Sequence, residues 1–201
     1  IYKKEKHNTM ETSGFKTQTS ELKISPFPNH NLLEKSILDV KDNLHEYPEI
    51  KIFGKICKQR RCVGFFSNTS IGYKYSGQLA KSKPLPQSLG ELLEIVNNLF
   101  GTEYNGILVN KYKTGEDYIS AHSDDEVSLD KSGVVAISWG ATRKFRIRNK
   151  ETKKIIGDFP LESGTMVQMA GNFQKEFTHE IPVEKRIKDE RISFTFRRHL
   201  I

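Results

Sequence analysis

Arg191-Ile-Ser-Phe-Thr-Phe-Arg197 alternates polar and apolar residues without a break. Successive side chains on a strand point to opposite faces. The stretch is therefore a strand with Ile192, Phe194 and Phe196 on one side and Arg191, Ser193, Thr195 and Arg197 on the other. Upstream, the segments 106–112, 118–122, 133–139, 143–148, 154–159, 165–170 and 177–181 are short and rich in Val, Ile, Phe and Thr. Gly, Asp, Asn and Ser separate them. Many short strands with turn residues between them predict a β-sandwich or jelly roll. The same alternation puts Asn110 beside Tyr112 on one face. It does the same for His122, Asp124 and Glu126 if the chain stays extended there. Three strands thus offer polar rows to one interior, and buried unpaired charge is costly, so the rows call for an occupant.

The first half has a different character. Leu33, Ile37, Val40 and Leu44 recur at helical spacing and stop before Pro48. A second helix follows Pro84 and Pro86, with Leu89, Leu92, Leu93, Val96 and Leu99 on one face and Gly101 as its C-cap. Both are expected to pack outside the sheet. Ile50–Phe53 reads as a short strand closed by Gly54. Residues 63–66 and 71–75 read as a hairpin through Ser67-Asn-Thr-Ser70. Residues 1–27 lack sustained periodicity and read as a flexible or loosely packed arm, leaving 28–201 as one domain.

The 201 residues can bury one good core. No long apolar run predicts a membrane span, and Ile1-Tyr-Lys-Lys-Glu-Lys-His7 has no export-signal core. Cys57 and Cys62 lack a second pair, which argues against zinc and fits a reducing, intracellular setting, nuclear or cytoplasmic. A net charge of +7 suits either a basic soluble protein or one with a polyanionic partner.

His122-Ser-Asp124 is followed 55 residues later by His179 and, 12 residues further on, by Arg191. Two imidazoles and a carboxylate are the ligand set that holds Fe(II) on one face of an octahedron with positions left open. A fixed arginine downstream suits a dicarboxylate co-substrate such as 2-oxoglutarate, because its planar fork donates two parallel hydrogen bonds. Each motif alone also fits a surface turn or a solvated edge strand.

Taken together, the chain resembles the AlkB family of Fe(II)- and 2-oxoglutarate-dependent dioxygenases, and most closely its DNA-alkylation-repair branch. The matching segments are Asn110-Lys-Tyr112-x-x-Gly115, His122-Ser-Asp124-Asp-Glu126, Ser138-Trp-Gly-Ala-Thr-Arg143-Lys-Phe145, Gly164-Thr-Met-Val-Gln-Met169, His179 and Arg191–Arg197. Phe53-Gly-Lys, Arg61 and Gly72-Tyr-Lys-Tyr-Ser-Gly77 resemble the nucleotide-recognition region. The resemblance implies a mixed, mainly β fold with a double-stranded β-helix (jelly-roll) core over 106–198. Helices and a nucleotide-recognition hairpin would fill 28–105.

It further implies iron on His122, Asp124 and His179, and 2-oxoglutarate on Asn110, Tyr112, Arg191, Ser193, Thr195 and Arg197. Ser193 departs from the Asn usual at its position, so one amide contact to the co-substrate is lost or moved. Tyr73, Tyr75, Glu126 and Arg197 would form the pocket for a flipped base, and Lys58, Arg60, Arg61 and Lys74 would track the nucleic-acid backbone. The implied activity is oxidative demethylation of N1-methyladenine- and N3-methylcytosine-type lesions in DNA or RNA by a monomer with no membrane attachment. It consumes O2 and 2-oxoglutarate and releases formaldehyde, succinate and CO2. The alternatives are an RNA demethylase, a 2-oxoglutarate-dependent hydroxylase of a protein or small molecule, and a catalytically silent nucleic-acid-binding module.

Overall fold

The computed structural model describes residues 13–52, 54–75, 78–125 and 133–199, with only the backbone described at Lys74, Tyr75 and Gln78. In chain order the elements are β1 (Ser13–Lys16), β2 (Ser20–Pro26), α1 (His30–Val40), β3 (Glu49–Ile52), β4 (Lys55–Lys58), β5 (Cys62–Phe66), β6 (Gly72–Tyr75), β7 (Gln78–Lys81) and α2 (Gln87–Phe100). They continue with β8 (Gly106–Tyr112), β9 (Ile119–His122), β10 (Val134–Gly140), β11 (Arg143–Asn149), β12 (Ile155–Leu161), β13 (Thr165–Gly171), α3 (Phe173–Glu176), β14 (Phe177–Ile181) and β15 (Arg191–Arg197). The fold is mainly β.

A seven-stranded antiparallel sheet runs in the order β1-β2-β13-β10-β15-β8-β5, and a four-stranded one in the order β12-β11-β14-β9. From β8 onward the chain crosses repeatedly between the two sheets. The alternation in β15 has a direct consequence. Ile192, Phe194 and Phe196 join Leu33, Ile37, Leu89, Leu92 and Val96 in one buried cluster, which seats α1 and α2 on the outer face of the large sheet. A second cluster, with Val167, Met169, Phe145, Ile147 and Ile181, draws on both sheets. Asn29 caps α1 by accepting from Leu32 N at 3.0 Å, and Gly101 closes α2 in the left-handed region with φ 62°.

Two expectations are corrected. Residues 13–27 are no loose arm. β1 and β2 form a hairpin, β2 pairs with β13 from Thr165 to Gly171, and Leu22, Ile24 and Phe27 are buried. The Leu22-x-Ile24 alternation is too short to register as a period, but the edge of β13 supplies its backbone partners. The hairpin expected between 63–66 and 71–75 does not form either. β5 is buried along its whole length and pairs with β8, while β6 pairs with β7. Ser67 turns the chain out of the sheet: its Oγ accepts from Thr69 N and Ser70 N and donates to Asn105 O at 2.6 Å.

Candidate metal centre and co-substrate cavity

His122 ends β9 and His179 lies mid-way along β14, directly opposite each other in the antiparallel pairing. Their rings sit 4.3 Å apart between centroids. Asp124 follows two residues after His122 and turns into the same space. His122 Nε2 is 3.9 Å from Asp124 Oδ1, and His179 Nε2 is 3.5 Å from Asp124 Oδ2. One ligand atom from each of the three lies within 4.8 Å of the others.

Protonation states favour a cation. Nδ1 of His122 faces the Ser120 carbonyl at 2.8 Å, so that nitrogen carries the proton and Nε2 keeps its lone pair. Burial pushes the His122 imidazole down. Burial and the neighbouring His122 push His179 down to about 3. Burial works to raise Asp124, but Arg197 and the two imidazoles outweigh it and hold the carboxyl below its ordinary value. Two neutral imidazoles and a carboxylate are the deprotonated state that a metal requires. Asp124 Oδ2 is buried with no hydrogen-bond partner, an orphaned anion site that a divalent ion satisfies. The residues fit Fe(II).

The same cavity is lined by Asn110, Tyr112, Arg191, Ser193, Thr195 and Arg197. Register explains the convergence: Tyr112 stands opposite Arg191 and Asn110 opposite Ser193, with Ser138 on the other flank of Ser193. Arg191 is buried. Its Nη2 donates to Ser138 Oγ at 2.8 Å and its Cζ lies 5.4 Å from the Tyr112 ring centroid. Its Nε and Nη1 meet no acceptor at hydrogen-bond distance. Burial lowers its pKa to about 10, which leaves it a cation at neutral pH. A buried guanidinium with two donors to spare needs an anion, and a carboxylate matches that fork.

Arg197 donates from Nη2 to Asp124 Oδ1 at 2.8 Å, and its Cζ lies 4.6 Å from the ring centroid of Tyr73. Tyr73 lines the same cavity and stacks on Phe65. Lys58 and Arg60 are exposed, Arg60 lying 3.8 Å from Asp117. Arg61 is a correction: it is buried, and its Nε donates to Asn110 Oδ1 at 2.8 Å, so it stands behind a residue of the cavity wall and not on a surface track. Glu126 and Phe53 fall outside the described residues, as do the side chains of Tyr75 and Lys74.

Four supporting residues escaped the sequence reading. Ser138 shares a strand face with Ala136, so alternation alone could have flagged it. Gln174 accepts from Asp124 N at 2.9 Å, and no local pattern announces that. Asp117 is buried and accepts from Lys113 N and the Tyr47 hydroxyl. Arg143 neighbours Lys144, Arg146 and Arg148 in sequence but is 1% exposed, donating to Glu184 and to the carbonyls of Thr114, Asp117 and Pro182.

Residues 33–197 match the model of the 2OG-Fe(II) oxygenase superfamily. The human "DNA oxidative demethylase ALKBH2" is 29% identical over 160 residues, covering 76% of this chain and 61% of that protein. The rat "Alpha-ketoglutarate-dependent dioxygenase alkB homolog 3" is 37% identical over 138 residues, covering 63% of this chain and 46% of that protein. The chain thus spans about six-tenths or less of the length of these relatives. The solved structure of OsALKBH1 superposes with a TM-score of 0.58 at 17% identity, covering 93% of this chain and all of that one, a likeness of fold. With the His-Asp-His trio, the spare guanidinium donors and these matches all falling in one stretch, the chain belongs to the 2OG-Fe(II) oxygenase superfamily as an AlkB-type member.

Proposed function

We propose that this protein removes methyl groups from N1-methyladenine- and N3-methylcytosine-type lesions in DNA or RNA, as an Fe(II)- and 2-oxoglutarate-dependent dioxygenase. The two sheets then form its jelly-roll core, with α1 and α2 outside, and the enzyme acts as a monomer. The observation that carries the reading is the spare Arg191 fork opening onto the same buried cavity as His122, Asp124 and His179. The names of the ALKBH2 and alkB homolog 3 relatives support the substrate class.

In this reading His122, Asp124 and His179 hold the iron, which supplies O2 activation coupled to oxidation of 2-oxoglutarate to succinate and CO2. One oxygen atom ends in succinate and the other in the N-methyl group, and the resulting N-hydroxymethyl base breaks its N–C bond to release formaldehyde. Arg191 grips the distal carboxylate. Tyr112 and Asn110 orient the co-substrate without adding charge, and Ser193 and Thr195 complete its floor. Arg197 fixes Asp124, and Tyr73 walls the base pocket with Arg197. Tyr75 and Glu126 are assigned to stacking and to the edge of the base. A lesion whose pairing edge is blocked unstacks more readily, which favours a site that must receive a flipped base.

Exposed Lys51, Lys55, Lys58 and Arg60 lie on or just after the β3–β4 hairpin and supply the phosphate track, with Lys74 added to it. Free thiols at Cys57 and Cys62 accord with an intracellular, reducing compartment.

The test is incubation with methylated DNA and RNA oligomers, single- and double-stranded, and with peptides, following succinate and formaldehyde. Equal yields of the two with a demethylated base are expected. Succinate without loss of any base methyl group removes the proposal in favour of a protein or small-molecule hydroxylase. His122→Ala should abolish turnover with oligonucleotide affinity nearly unchanged, which also separates the enzyme from a silent binding module.

A further inference from the structure

The four-residue helix α3 stands between the Asp124 segment and the β1–β2 turn, and bonds to both. On one side, Gln174 Oε1 accepts from the backbone N–H of Asp124 at 2.9 Å, while Gln174 Nε2 donates to Met169 Sδ at 3.5 Å. Lys150 Nζ adds a second tie, donating to Asp125 Oδ2 at 2.7 Å and to the Gln174 carbonyl at 3.3 Å. On the other side, the Glu176 carboxylate accepts from both hydroxyls at the β1–β2 turn: Ser20 Oγ at 2.7 Å and Thr19 Oγ1. Asn172 N donates to the Thr19 carbonyl at 2.9 Å.

The turn itself is fixed by Thr17, whose Oγ1 accepts from Ser20 N at 2.9 Å. Gly171 holds φ 68°, and a Cβ there would collide with the Thr19 carbonyl oxygen, so the approach of the turn to α3 requires this glycine. Phe15 of β1 packs edge-on to Phe177 at 5.3 Å and lies 6.3 Å from Phe173, which is fully buried beside His179.

We propose that α3 is a brace for Asp124 which the β1–β2 hairpin holds in place, so that divalent-ion affinity depends on Ser20 and Thr19, far from the ligands in sequence. The inference rests on the reading of His122, Asp124 and His179 as ligands of one ion. Glu176 and Gln174 are positioning residues: neither lines the cavity. Asp124 lies just past the end of β9, beyond the last ladder pairing in that strand, so its backbone depends on contacts such as Gln174 for its place. A group that orients a ligand typically alters metal affinity about 10- to 100-fold when removed.

The test is anaerobic titration of the metal-free protein with Co(II), read by its visible absorption bands. Wild type is compared with Thr19→Val/Ser20→Ala, Gln174→Leu, the combination, and Asn97→Ala. Asn97 pins the loop after α2, where its amide accepts from Tyr104 N at 2.7 Å, so its loss lowers stability away from the site. The hairpin variant and Gln174→Leu should each weaken Co(II) by about tenfold, with altered band intensities.

The combined variant should lose little more than Gln174→Leu alone, because both act through one helix. Asn97→Ala should melt earlier yet bind Co(II) as wild type does. Should the hairpin double variant not fold, Ser20→Ala alone carries the same prediction at a smaller loss. Wild-type affinity in the hairpin variants overturns the proposal, as does an equal loss in Asn97→Ala or a multiplicative loss in the combination. Failure of the wild type itself to take Co(II) removes the metal reading, and this proposal with it.

Discussion

Arg197 Nη2 lies 2.8 Å from Asp124 Oδ1 with both side chains buried, so the acidic member of the His122–Asp124–His179 trio has a permanent protein counter-charge. Breaking a buried pair by removing one partner costs about 3–5 kcal/mol, because the other charge is stranded. Arg197→Met should therefore destabilise the metal-free protein by about that amount. Added Mn(II) or Co(II) should restore part of the loss, since the ion replaces the missing cation. Thermal unfolding with and without metal checks this. A deficit unaffected by metal would show that Asp124 does not face the ion.

Arg191 has donors to spare for a carboxylate. Its loss removes a charge-assisted contact of about 1.5–3 kcal/mol, so Arg191→Ala should raise the KM for 2-oxoglutarate roughly 10- to 100-fold with a smaller change in kcat. Arg191→Lys should fall between, keeping the charge but not the fork. Initial rates of succinate formation across a 2-oxoglutarate series measure both. An unchanged KM reassigns the anchor.

His199 is buried, faces Ser70 Oγ at 3.2 Å and packs on Phe65 at 4.9 Å. Burial first, then Arg197, pushes its pKa from 6.5 down to about 4. Below pH 6.5 the unfolded chain takes a proton that the folded one refuses until about pH 4, so this group withdraws stability as pH falls through that window. At about 1.4 kcal/mol per pH unit, the withdrawal reaches up to about 3 kcal/mol. His199→Leu should flatten that part of the pH dependence in urea unfolding of the metal-free protein. A slope equal to wild type would contradict the assignment. His122 and His179 retain their own share of the acid sensitivity, in the same direction.

Arg143 joins the loop at Thr114–Asp117 to the one at Pro182–Glu184, and both flank the cavity strands. Arg143→Met should cost about 3 kcal/mol in unfolding free energy by removing the donors to the carbonyls of Thr114, Asp117 and Pro182, while Glu184 keeps Lys144. Activity per folded molecule should survive. A stable variant with a selective loss of turnover would instead give Arg143 a direct role.

The strands from β8 to β15 were legible because period-two alternation is local and each has turn residues at its ends. His122, Asp124, His179 and Arg191 were legible from their order and spacing, with strand parity putting Arg191 on the polar face of β15. Pairing partners were not: β5 and β6 lie next to each other in sequence, yet one joins the large sheet and the other a separate hairpin, since register is decided by which edge stands open. Arg61 and Arg143 show the same limit for charge, because a guanidinium reads alike in sequence whether solvated or enclosed by acceptors.

The sequence by itself determined the strand faces, the two outer helices and the four side chains of the proposed iron and 2-oxoglutarate site, because those depend on spacing along one chain. Only the tertiary structure decided that residues 13–27 belong to the large sheet, that Arg61 is buried against Asn110, and that Gln174 meets Asp124. Those facts depend on distant segments satisfying each other's backbone groups and buried charges, and no local period encodes which segment that is.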